Sequence, residues 1–494
     1  RESNLAQFPG EEASKVLDNS RGFSAQYTGV LKPTLINDLR VGYTRLGTAI
    51  SGVEGSFLSL AGITNIQNGA RGTTRTSPTW NIADDVNWVR GNHNVKFGGN
   101  VRFIVNNRQN FANVFPSYTM GNGSLAGLGS DIQGGINSVL QRRLGNPNVQ
   151  LASNQLAQIS NAALNLTGVV TGFAVTYQYD AQGNLLPIGS PADRSFGTQE
   201  YEFYISDTWR ATNDLTITYG LRYSYFRPPY ERNGLQGATT VPLEAWMAER
   251  VGAMELGIPA NVLPSSLLTW TASGPANGAD SWFNDDRNNF APRLSIAWNP
   301  KNASGPLRWI FGSNGVLRLG GGLFYDRFGS FLVTQADQLG TFGVQNRVAN
   351  AQAFNFSTGF RFDGGFPELP PAPPGGFPFT PPLNRAIAGS GLGTATNLTT
   401  PYSMPITATI SREIPGGMTL EAGYVGRFGR NLLGQHDPAS PLIFFKDPAS
   451  GQTLADAFQA NRTLFEDQGI TNAQVATNPG LVPNQPFFEN MFPG

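Results

Sequence analysis

The sequence predicts an all-β fold of long antiparallel strands, and three observations support this prediction. Apolar and polar residues alternate over runs of about 10 to 15 residues, as they do in a strand with one apolar face. Short polar turns join these runs in pairs. Much longer segments separate the pairs, although compact soluble domains rarely have loops above about 15 residues. Short turns on one side and long loops on the other are typical of transmembrane β-barrels.

Ten strands are predicted from the alternation. In chain order they lie near residues 21–31, 36–47, 79–90, 94–106, 196–210, 214–227, 289–299, 316–328, 402–413 and 418–430. The strand near 214–227 is the clearest, because Ile217 and Leu221 fall on one face while Thr218 and Arg222 fall on the other. The sequence therefore predicts one apolar and one polar face, with sequence neighbours paired antiparallel.

The connections alternate between short and long. The short turns lie near 32–36, 91–93, 212–214, 300–315 and 415–417. The long connections lie near 48–78, 107–195, 228–288 and 329–401. We expect all short turns at one end of the sheet and all long loops at the other.

The long loops contain some predicted structure of their own. A helix is predicted over 242–256, because Pro242 suits a first turn, apolar residues follow at helical spacing and Gly257 can end it. A second, short helix is predicted around 132–140. The proline-rich segment 364–382 is expected to be extended or mobile.

Three features favour lipid as the medium that contacts the apolar face. The strands are long enough, since about 10 residues at a 45° tilt cross the hydrocarbon. The opposite face is rich in Gly, Thr, Ser, Asn and Arg, which suit a wet lumen. Aromatic residues lie near the strand ends, where membrane barrels have aromatic girdles. They are Trp80, Trp88, Trp209, Trp298, Tyr223, Tyr225 and Tyr325. The alternative is a soluble β-protein whose apolar face is a packed core.

Two carboxylates conflict with a lipid-facing stripe. Asp84 and Asp207 both fall on the apolar face by parity, where a charge is unfavourable in lipid. Either they lie near the rim of short turns or a β-bulge reverses the facing locally.

Composition excludes several functional classes. Lys plus Arg and Asp plus Glu number 34 each, which argues against a nucleic-acid binder that must neutralise phosphates. The chain has no Cys and two His, His93 and His436, so thiolate or histidine metal centres lack ligands. No stretch approaches 18 consecutive apolar residues, which excludes a transmembrane helix. We find no pairing of nucleophile and base, and predict neither catalysis nor a cofactor.

Several residue groups are weak candidate sites. Asp285 and Asp286, with Asn284 and Asn288, offer oxygen ligands for Ca²⁺, but the spacing favours a solvated loop. The run Gly320–Gly322 lacks the Lys-Ser/Thr of a phosphate loop, so close packing is favoured. His93 is expected at the rim, and Glu11 and Glu12 would not converge on one strand face. Asn-x-Ser/Thr matches, attributed to chance, begin at Asn122, Asn165, Asn302, Asn355, Asn397 and Asn461.

Five arginines fall on the polar faces of the predicted strands. They are Arg40, Arg102, Arg222, Arg293 and Arg318. They either line a solute path or pair internally with lumenal carboxylates, and the second interpretation is favoured.

Four segments carry a resemblance to a known family. The segments Tyr204–Tyr223, Gly91–Gly99, Leu35–Arg45 and Asn289–Leu294 resemble barrel hairpins of TonB-dependent outer-membrane receptors. The chain looks most like the Oar-like subgroup, whose full chains carry a carboxypeptidase-regulatory-like domain before the plug.

The resemblance implies a barrel of about 22 strands around a plug, with energy supplied by the inner-membrane TonB complex. Residues 1–494 then form a partial barrel domain from the middle of a longer protein, with the plug and the N-terminal domain absent.

Three functions stay open at this point. The first is a barrel for TonB-energised nutrient uptake in a Gram-negative-type outer membrane, with lipid, the TonB complex and an unknown nutrient as partners. The second is an adhesive or surface-binding outer-membrane barrel without transport. The third is a soluble secreted β-protein. The substrate and its binding residues cannot be read from the sequence.

Overall fold

The computed structural model describes most of the chain. The described residues are 2–5, 14–52, 54–63, 72–120, 128–170, 172–256, 258, 262–263, 267–301, 304–312, 314–339, 341–350, 360–361, 365–366, 368–382, 393–414, 416–435 and 446–491. They divide into two units. Unit 1 is Arg1–Ala238, Trp270–Leu392 and Asn397–Leu432, and unit 2 is Thr239–Thr269, Gly393–Thr396 and Leu433–Gly494.

Strands dominate the first unit. In chain order the strands are β1 (Glu2–Leu5), β2 (Ser14–Asp18), β3 (Arg21–Lys32), β4 (Leu35–Ser51), β5 (Phe57–Ser59), β6 (Thr73–Arg90), β7 (His93–Asn110), β8 (Ser117–Thr119), β9 (Val169–Val170), β10 (Gly172–Gln178), β11 (Ala192–Arg210), β12 (Leu215–Phe226), β13 (Tyr230–Glu231), β14 (Gly237–Thr239), β15 (Trp270–Ala272), β16 (Phe290–Trp298), β17 (Val316–Gly322), β18 (Phe324–Tyr325), β19 (Gln345–Asn350), β20 (Phe360–Arg361), β21 (Tyr402–Ile414) and β22 (Met418–Arg430).

Helices occupy the connections and the second unit. They are α1 (Leu128–Leu144), α2 (Ser153–Thr167), α3 (Leu243–Glu255), α4 (Pro306–Phe311), α5 (Phe331–Leu339), α6 (Leu454–Asp467), α7 (Asn472–Thr477) and α8 (Pro486–Met491). Among the described residues, none of these helices combines the length and the apolar character needed to cross a bilayer.

All ten predicted strands belong to the main, 14-stranded sheet, which confirms the predicted topology, and the short strands β1, β2, β13 and β18 complete it. The pairing order is β3, β4, β6, β7, β11, β12, β16, β17, β21 and β22, and every neighbouring pair is antiparallel. Because sequence neighbours pair antiparallel throughout, the connections at one end are the short ones and those at the other end are the long ones. The connection between β16 and β17 differs from the expected turn, since it contains α4, which begins at Pro306.

Several strands extend further toward the long loops than the alternation predicts. β6 begins at Thr73 instead of near 79, and β7 continues to Asn110 instead of ending near 106. The added residues are polar on both faces, as the run Thr73–Ser77 shows. Alternation fades there because both faces meet polar surroundings, so the period-2 signal is lost while the backbone ladder continues.

The sheet is not closed among the described strands. β22 pairs with β21 alone, and β3 pairs with β4 alone. Each of these two strands therefore leaves one edge of backbone donors and acceptors without a strand partner in the described part of the chain.

A smaller sheet forms from the long connections of the first unit. Its strand order is β19, β10, β8 and β5, drawn from four separate segments. Residues 368–382 run without regular structure, as expected for an extended proline-rich segment, and pack against β10. The hydroxyls of Tyr177 and Tyr179 donate hydrogen bonds to the carbonyls of Pro370 and Pro373. Burial raises the pKa of both tyrosines.

The second unit contains the predicted helix α3, which confirms the prediction over 242–256. At α6, Thr453 forms a capping box, because its hydroxyl accepts from the backbone N–H of Asp456, whose carboxylate accepts from the backbone N–H of Thr453. Leu454, Ala457 and Phe487 form a small buried cluster. Nearby, hydrogen bonds from Ser450 hold the pKa of Asp447 at about 2.

Candidate functional site

A cavity of about 750 Å³ lies within the first unit, between the polar face of the main sheet and the long connections. Its floor comes from the loop-side ends of β3, β4, β6, β7, β11 and β12. Its roof comes from residues 283–286, 327–333 and 398–400. The roof residues include the start of α5. Most floor residues lie within the predicted strands, and Arg75 and Ser77 belong to the part of β6 that precedes the predicted start near 79.

The antiparallel register aligns the floor side chains in rows. Thr79, Ile104 and Thr198 are Cα partners across β6, β7 and β11. The row below places Arg102 opposite Glu200. Since successive side chains of a strand point to opposite faces, Thr44 and Leu46 face the cavity, whereas Arg45 between them has the parity of Tyr43 on the apolar face.

The most buried charge in the cavity is Glu200, which is 2% exposed. Arg102 Nη1 lies 2.5 Å from one carboxylate oxygen of Glu200, and Arg327 Nη1 lies 2.7 Å from the other. Arg102 comes from β7 and Arg327 from the roof, so this carboxylate ties the sheet to the loops. Two guanidinium groups share one carboxylate, which leaves the trio with a formal charge of plus one.

Among the other arginines that border the cavity, Arg75 lies on the polar face. Arg21 and Arg45 have the parity of the apolar face, and Arg227 donates to Gln199 on that same face. The cavity is lined by Arg21, Arg45, Arg75, Arg102, Arg227 and Arg327, and by the carboxylates Glu200 and Asp286. Arg75 Nε donates to Ser77 Oγ at 3.2 Å, and Arg45 Nη1 donates to the carbonyl of Asn19 at 3.2 Å. Asp286 Oδ2 accepts from the backbone N–H of Thr400 at 2.7 Å.

Only Arg102 among these six arginines was a candidate from the sequence. Arg75 has the parity of the polar face but precedes the predicted strand. Arg327 falls inside the predicted strand 316–328, which was too long: β17 ends at Gly322, β18 ends at Tyr325, and Arg327 lies in the loop that follows. The available signal was positional, since Arg21 begins β3 and Arg227 follows β12, both at the loop end of the sheet.

Deeper on the polar face, the predicted arginines pair with carboxylates. Arg40 contacts Asp85, whose other oxygen accepts from the Tyr204 hydroxyl at 2.6 Å. Arg222 Nε lies 3.1 Å from Glu202 Oε1.

The remaining two predicted arginines differ from this pattern. Arg293 places its guanidinium carbon 3.9 Å from the ring centre of Phe324. Arg318 is aligned with Ala297 and Thr409 on the polar face.

The opposite face of the main sheet is an exposed apolar band. Ile205, Tyr219 and Leu221 are 55%, 46% and 43% exposed. A packed core would bury such side chains, whereas lipid contact requires them to be outside. Thr218 and Arg222 face the other way, toward Thr208 and Glu202.

Aromatic residues bound this band on both sides. On the loop side, Phe23, Tyr43 and Trp80 pack together, with ring centroids 4.9 to 5.9 Å apart. On the turn side, the rings of Trp209 and His93 stack with their centroids 5.7 Å apart. Trp80 and Trp88 are eight residues apart in β6, which gives about 26 Å along the strand and roughly 20 Å across a tilted barrel wall.

The two conflicting carboxylates have different explanations. Asp207 lies near the turn-side rim, as one alternative proposed, and accepts from Tyr219 and His93 at 3.0 and 2.6 Å. Asp84 lies midway between Trp80 and Trp88, and the β4–β6 and β6–β7 registers run through it without a bulge, so both proposed explanations are wrong for it. Its Oδ1 instead accepts from Asn37 Nδ2 at 2.6 Å.

The weak candidate sites show structural roles. Asp285 pairs with Arg287 at 2.7 Å, and this hydrogen bond raises the pKa of Arg287. Within the described ranges, no three acidic or histidine side chains gather as a metal site. A Cβ on Gly322 would lie 2.8 Å from Arg293 Cγ, consistent with close packing. Asn165 exchanges two hydrogen bonds with the backbone of Ala61.

Other sequence candidates fall outside the described residues. They are Glu11, Glu12, Asn122, Asn302, Asn355 and His436.

Comparison with known proteins identifies the family. A family model described as an outer membrane beta barrel domain matches residues 2–480. It describes outer-membrane barrels and not enzymes. No curated protein matches the chain.

Solved structures give remote likenesses. The outer membrane transporter YddB from Escherichia coli is 12% identical over 86% of this chain and 36% of its own, with a TM-score of 0.41. The ferric-catecholate import receptor Fiu from Escherichia coli K12 is 10% identical over 88% of this chain and 44% of its own, with a TM-score of 0.37. The siderophore receptor PirA from Pseudomonas aeruginosa is 9% identical over 86% and 54%, with a TM-score of 0.25.

The chain thus spans less than half the length of the first two of these structures. The assignment depends on the family model, which covers nearly the whole sequence, and the exposed apolar band agrees with it. The chain therefore belongs to the outer membrane beta barrel domain family, and it is a protein of the bacterial outer membrane.

Proposed function

We propose that the chain is part of the barrel of a TonB-energised outer-membrane receptor that takes up a nutrient. The observation that carries this proposal is the cavity on the polar face beneath the long loops. An adhesive barrel needs loops that bind a partner, but it does not need a ligand-sized cavity that faces its lumen. A cavity in that position suits the capture of a solute before its passage.

The proposal extends to the rest of the protein. We place a plug and an N-terminal domain of the Oar-like type in the full-length chain, with residues 1–494 as one portion of the barrel. TonB then contacts the plug region and not this portion. The solute passes through the lumen that the polar face lines.

The test is energy-dependent depletion of solutes by cells that carry the full-length receptor. Growth medium is compared by mass spectrometry between these cells and matched cells whose TonB complex is inactivated. We expect at least one solute to be depleted only when both the receptor and TonB are active. If the receptor is folded in the outer membrane and no solute differs, the adhesive alternative replaces transport.

A further inference from the structure

We propose that α4 anchors the barrel in the lipid headgroup region on the turn side of the membrane, which is the periplasmic side in outer-membrane barrels. The partner is the phospholipid surface, and the contact is made by a connection between two strands. This inference goes beyond the proposed function, because it depends on the membrane location and not on what the barrel transports.

The first argument is the height at which α4 meets the sheet. Trp88, Trp209 and Trp298 lie on β6, β11 and β16, and each is offset by two residues toward the turns from the one two strands before it. An offset of one residue per strand is about 3.3 Å along the strand for about 4.8 Å between strands, which corresponds to a tilt of about 35°. The three tryptophans therefore lie at one height in a tilted wall, as an aromatic girdle does. Arg412 on β21 continues the same offset from Trp298.

The second argument is the attachment of α4 to the lipid-facing side of the sheet at this height. Phe311 is buried and packs edge to face on Trp298, with ring centroids 5.5 Å apart. Arg412 donates a hydrogen bond from Nη1 to the carbonyl of Trp309. Trp298 and Arg412 both have the parity of the apolar face. The helix therefore lies against the turn-side border of the exposed apolar band.

The third argument is the apolar surface that α4 exposes. Leu307, Trp309 and Ile310 are 43%, 78% and 37% exposed, although they follow one another within a single short helix. A contiguous exposed apolar patch is unfavourable in water and marks a contact with protein or membrane. Because the patch continues the apolar band that contacts lipid, its position selects the membrane.

The fourth argument concerns the residue types, which suit the headgroup region and not the hydrocarbon. Tryptophan is enriched at membrane interfaces, where its ring is buried and its N–H reaches polar groups. Arg308 is the single charged residue of α4 and is exposed, so its guanidinium can donate to headgroup phosphates. The same combination recurs on the girdle at β6, where the guanidinium carbon of the exposed Arg90 lies 5.7 Å from the ring centre of Trp88.

The experiment measures whether α4 contacts lipid in vesicles that contain the full-length receptor. Residues 1–494 contain no Cys, so a single introduced cysteine can carry a bimane fluorophore once any cysteine elsewhere in the receptor is replaced. The label is placed at Leu307→Cys, which leaves Trp309 and Arg308 intact. The vesicles consist of phosphatidylglycerol and phosphatidylcholine brominated on its acyl chains, which quenches from within the membrane, and iodide quenches from the water.

Two further labelled positions calibrate the measurement. Leu221→Cys is the lipid reference, because Leu221 lies in the apolar band. Asn213→Cys is the water reference, because Asn213 is exposed in the turn between β11 and β12. We expect the label at position 307 to be quenched by brominated lipid at least three-fold more than the label at 213, and by iodide at least three-fold less.

Variants made in the receptor labelled at position 307 identify the side chains that hold α4 in the membrane. Trp309→Ser and Ile310→Ser remove apolar contacts, and Arg308→Glu places a negative charge among the phosphates. Each should lower the quenching by brominated lipid at least two-fold. Arg210→Glu is the matched control for charge and should leave the quenching unchanged, because Arg210 is exposed at the turn end of β11 but has the parity of the polar face. Heat-modifiable migration in gel electrophoresis confirms that each variant is folded.

Three results would overturn the inference. If the label at position 307 is quenched like the label at 213, α4 lies in water. If neither quencher reaches it, the helix is covered by protein and its exposed surface is a protein contact. If brominated lipid quenches it equally in all folded variants, the outward side chains of α4 do not anchor it. None of these results depends on uptake, so the inference and the proposed function are tested separately.

Discussion

Asp84 and Asp85 are adjacent in β6 but meet opposite environments. Asp84 lies on the apolar face with Asn37 as its hydrogen-bond partner, whereas Asp85 contacts Arg40 and Tyr204 on the polar face. An aspartate is thus unfavourable at position 84, where the strand faces lipid, and is stabilised at position 85, where charged and polar side chains contact its carboxylate.

We expect Asp84→Leu to stabilise the folded receptor and Asp85→Leu to destabilise it. Removing a lipid-facing carboxylate should gain about 1 kcal/mol, since the penalty for acidic residues is smaller than the 2–4 kcal/mol known for Lys or Arg. Loss of Asp85 leaves Arg40 without its closest carboxylate and should cost about 1.5–3 kcal/mol. Urea unfolding of the full-length protein in lipid vesicles measures both changes. A loss of stability for Asp84→Leu would indicate that this part of the band contacts protein.

For individual residues, the sequence predicted which face of the sheet a side chain lies on but not which other side chain it contacts. Arg40, Arg102 and Arg222 could be assigned to the polar face because the strand period is fixed. The pairing of Arg102 with Glu200, however, depends on the register between two strands that are separated by a long connection. Arg327 reaches the same carboxylate from a loop, and no local pattern encodes that contact.

Among the strands, β12 is the best place to test which face of the main sheet contacts lipid. Ile217 and Leu221 share the apolar face, and Thr218 lies on the opposite face next to Thr208. Both faces are regular here because β12 pairs with β11 and β16 along its length.

Replacing Leu221 or Ile217 with Arg in the full-length protein should lower the yield of folded barrel in membranes. An Arg at the lipid midplane costs about 2–4 kcal/mol, whereas the lumen tolerates it. Thr218→Arg is the matched control and should change the yield much less. Yield is measured from the fraction of receptor that resists protease in isolated outer membranes. If Leu221→Arg left the yield of folded barrel unchanged and Thr218→Arg abolished it, the apolar face would be a buried core and not a lipid-facing surface.

The strands were predictable from the sequence and most helices were not. The alternation located all ten long strands because lipid and lumen impose opposite demands on successive residues. The helix α2 was missed because Asn, Gln, Ser, Thr and Ala make up most of its sequence, so its few apolar residues gave a weak signal although they repeat at helical spacing. The small sheet was missed because strands of three to seven residues from three connections carry too short a pattern.

The whole molecule has a sheet with two unpaired edges among the described strands. β3 and β22 each pair with a single neighbour. Unsatisfied backbone groups cost several kcal/mol each in hydrocarbon, so such edges are unfavourable in a bilayer.

We expect residues 1–494 produced alone to fail to form a stable barrel, while the full-length protein succeeds. The test is heat-modifiable migration in gel electrophoresis after refolding into detergent, which reports a closed and denaturant-resistant barrel. The full-length protein refolded in parallel is the control. A heat-modifiable species formed by the 494 residues alone would show that the edges find partners within this chain.

The nearly continuous register of the main sheet restricts how the protein can change in length during evolution. The register shifts once, between Val30 and Lys32 near the end of β3, and is continuous through the described pairings of β4, β6, β7, β11 and β12. Deleting one residue between Trp80 and Asp85 would reverse the facing of the rest of β6 and send Asp85 toward lipid. Insertions and deletions in relatives should therefore concentrate in the long connections, so that the roof of the cavity diversifies while its floor is retained.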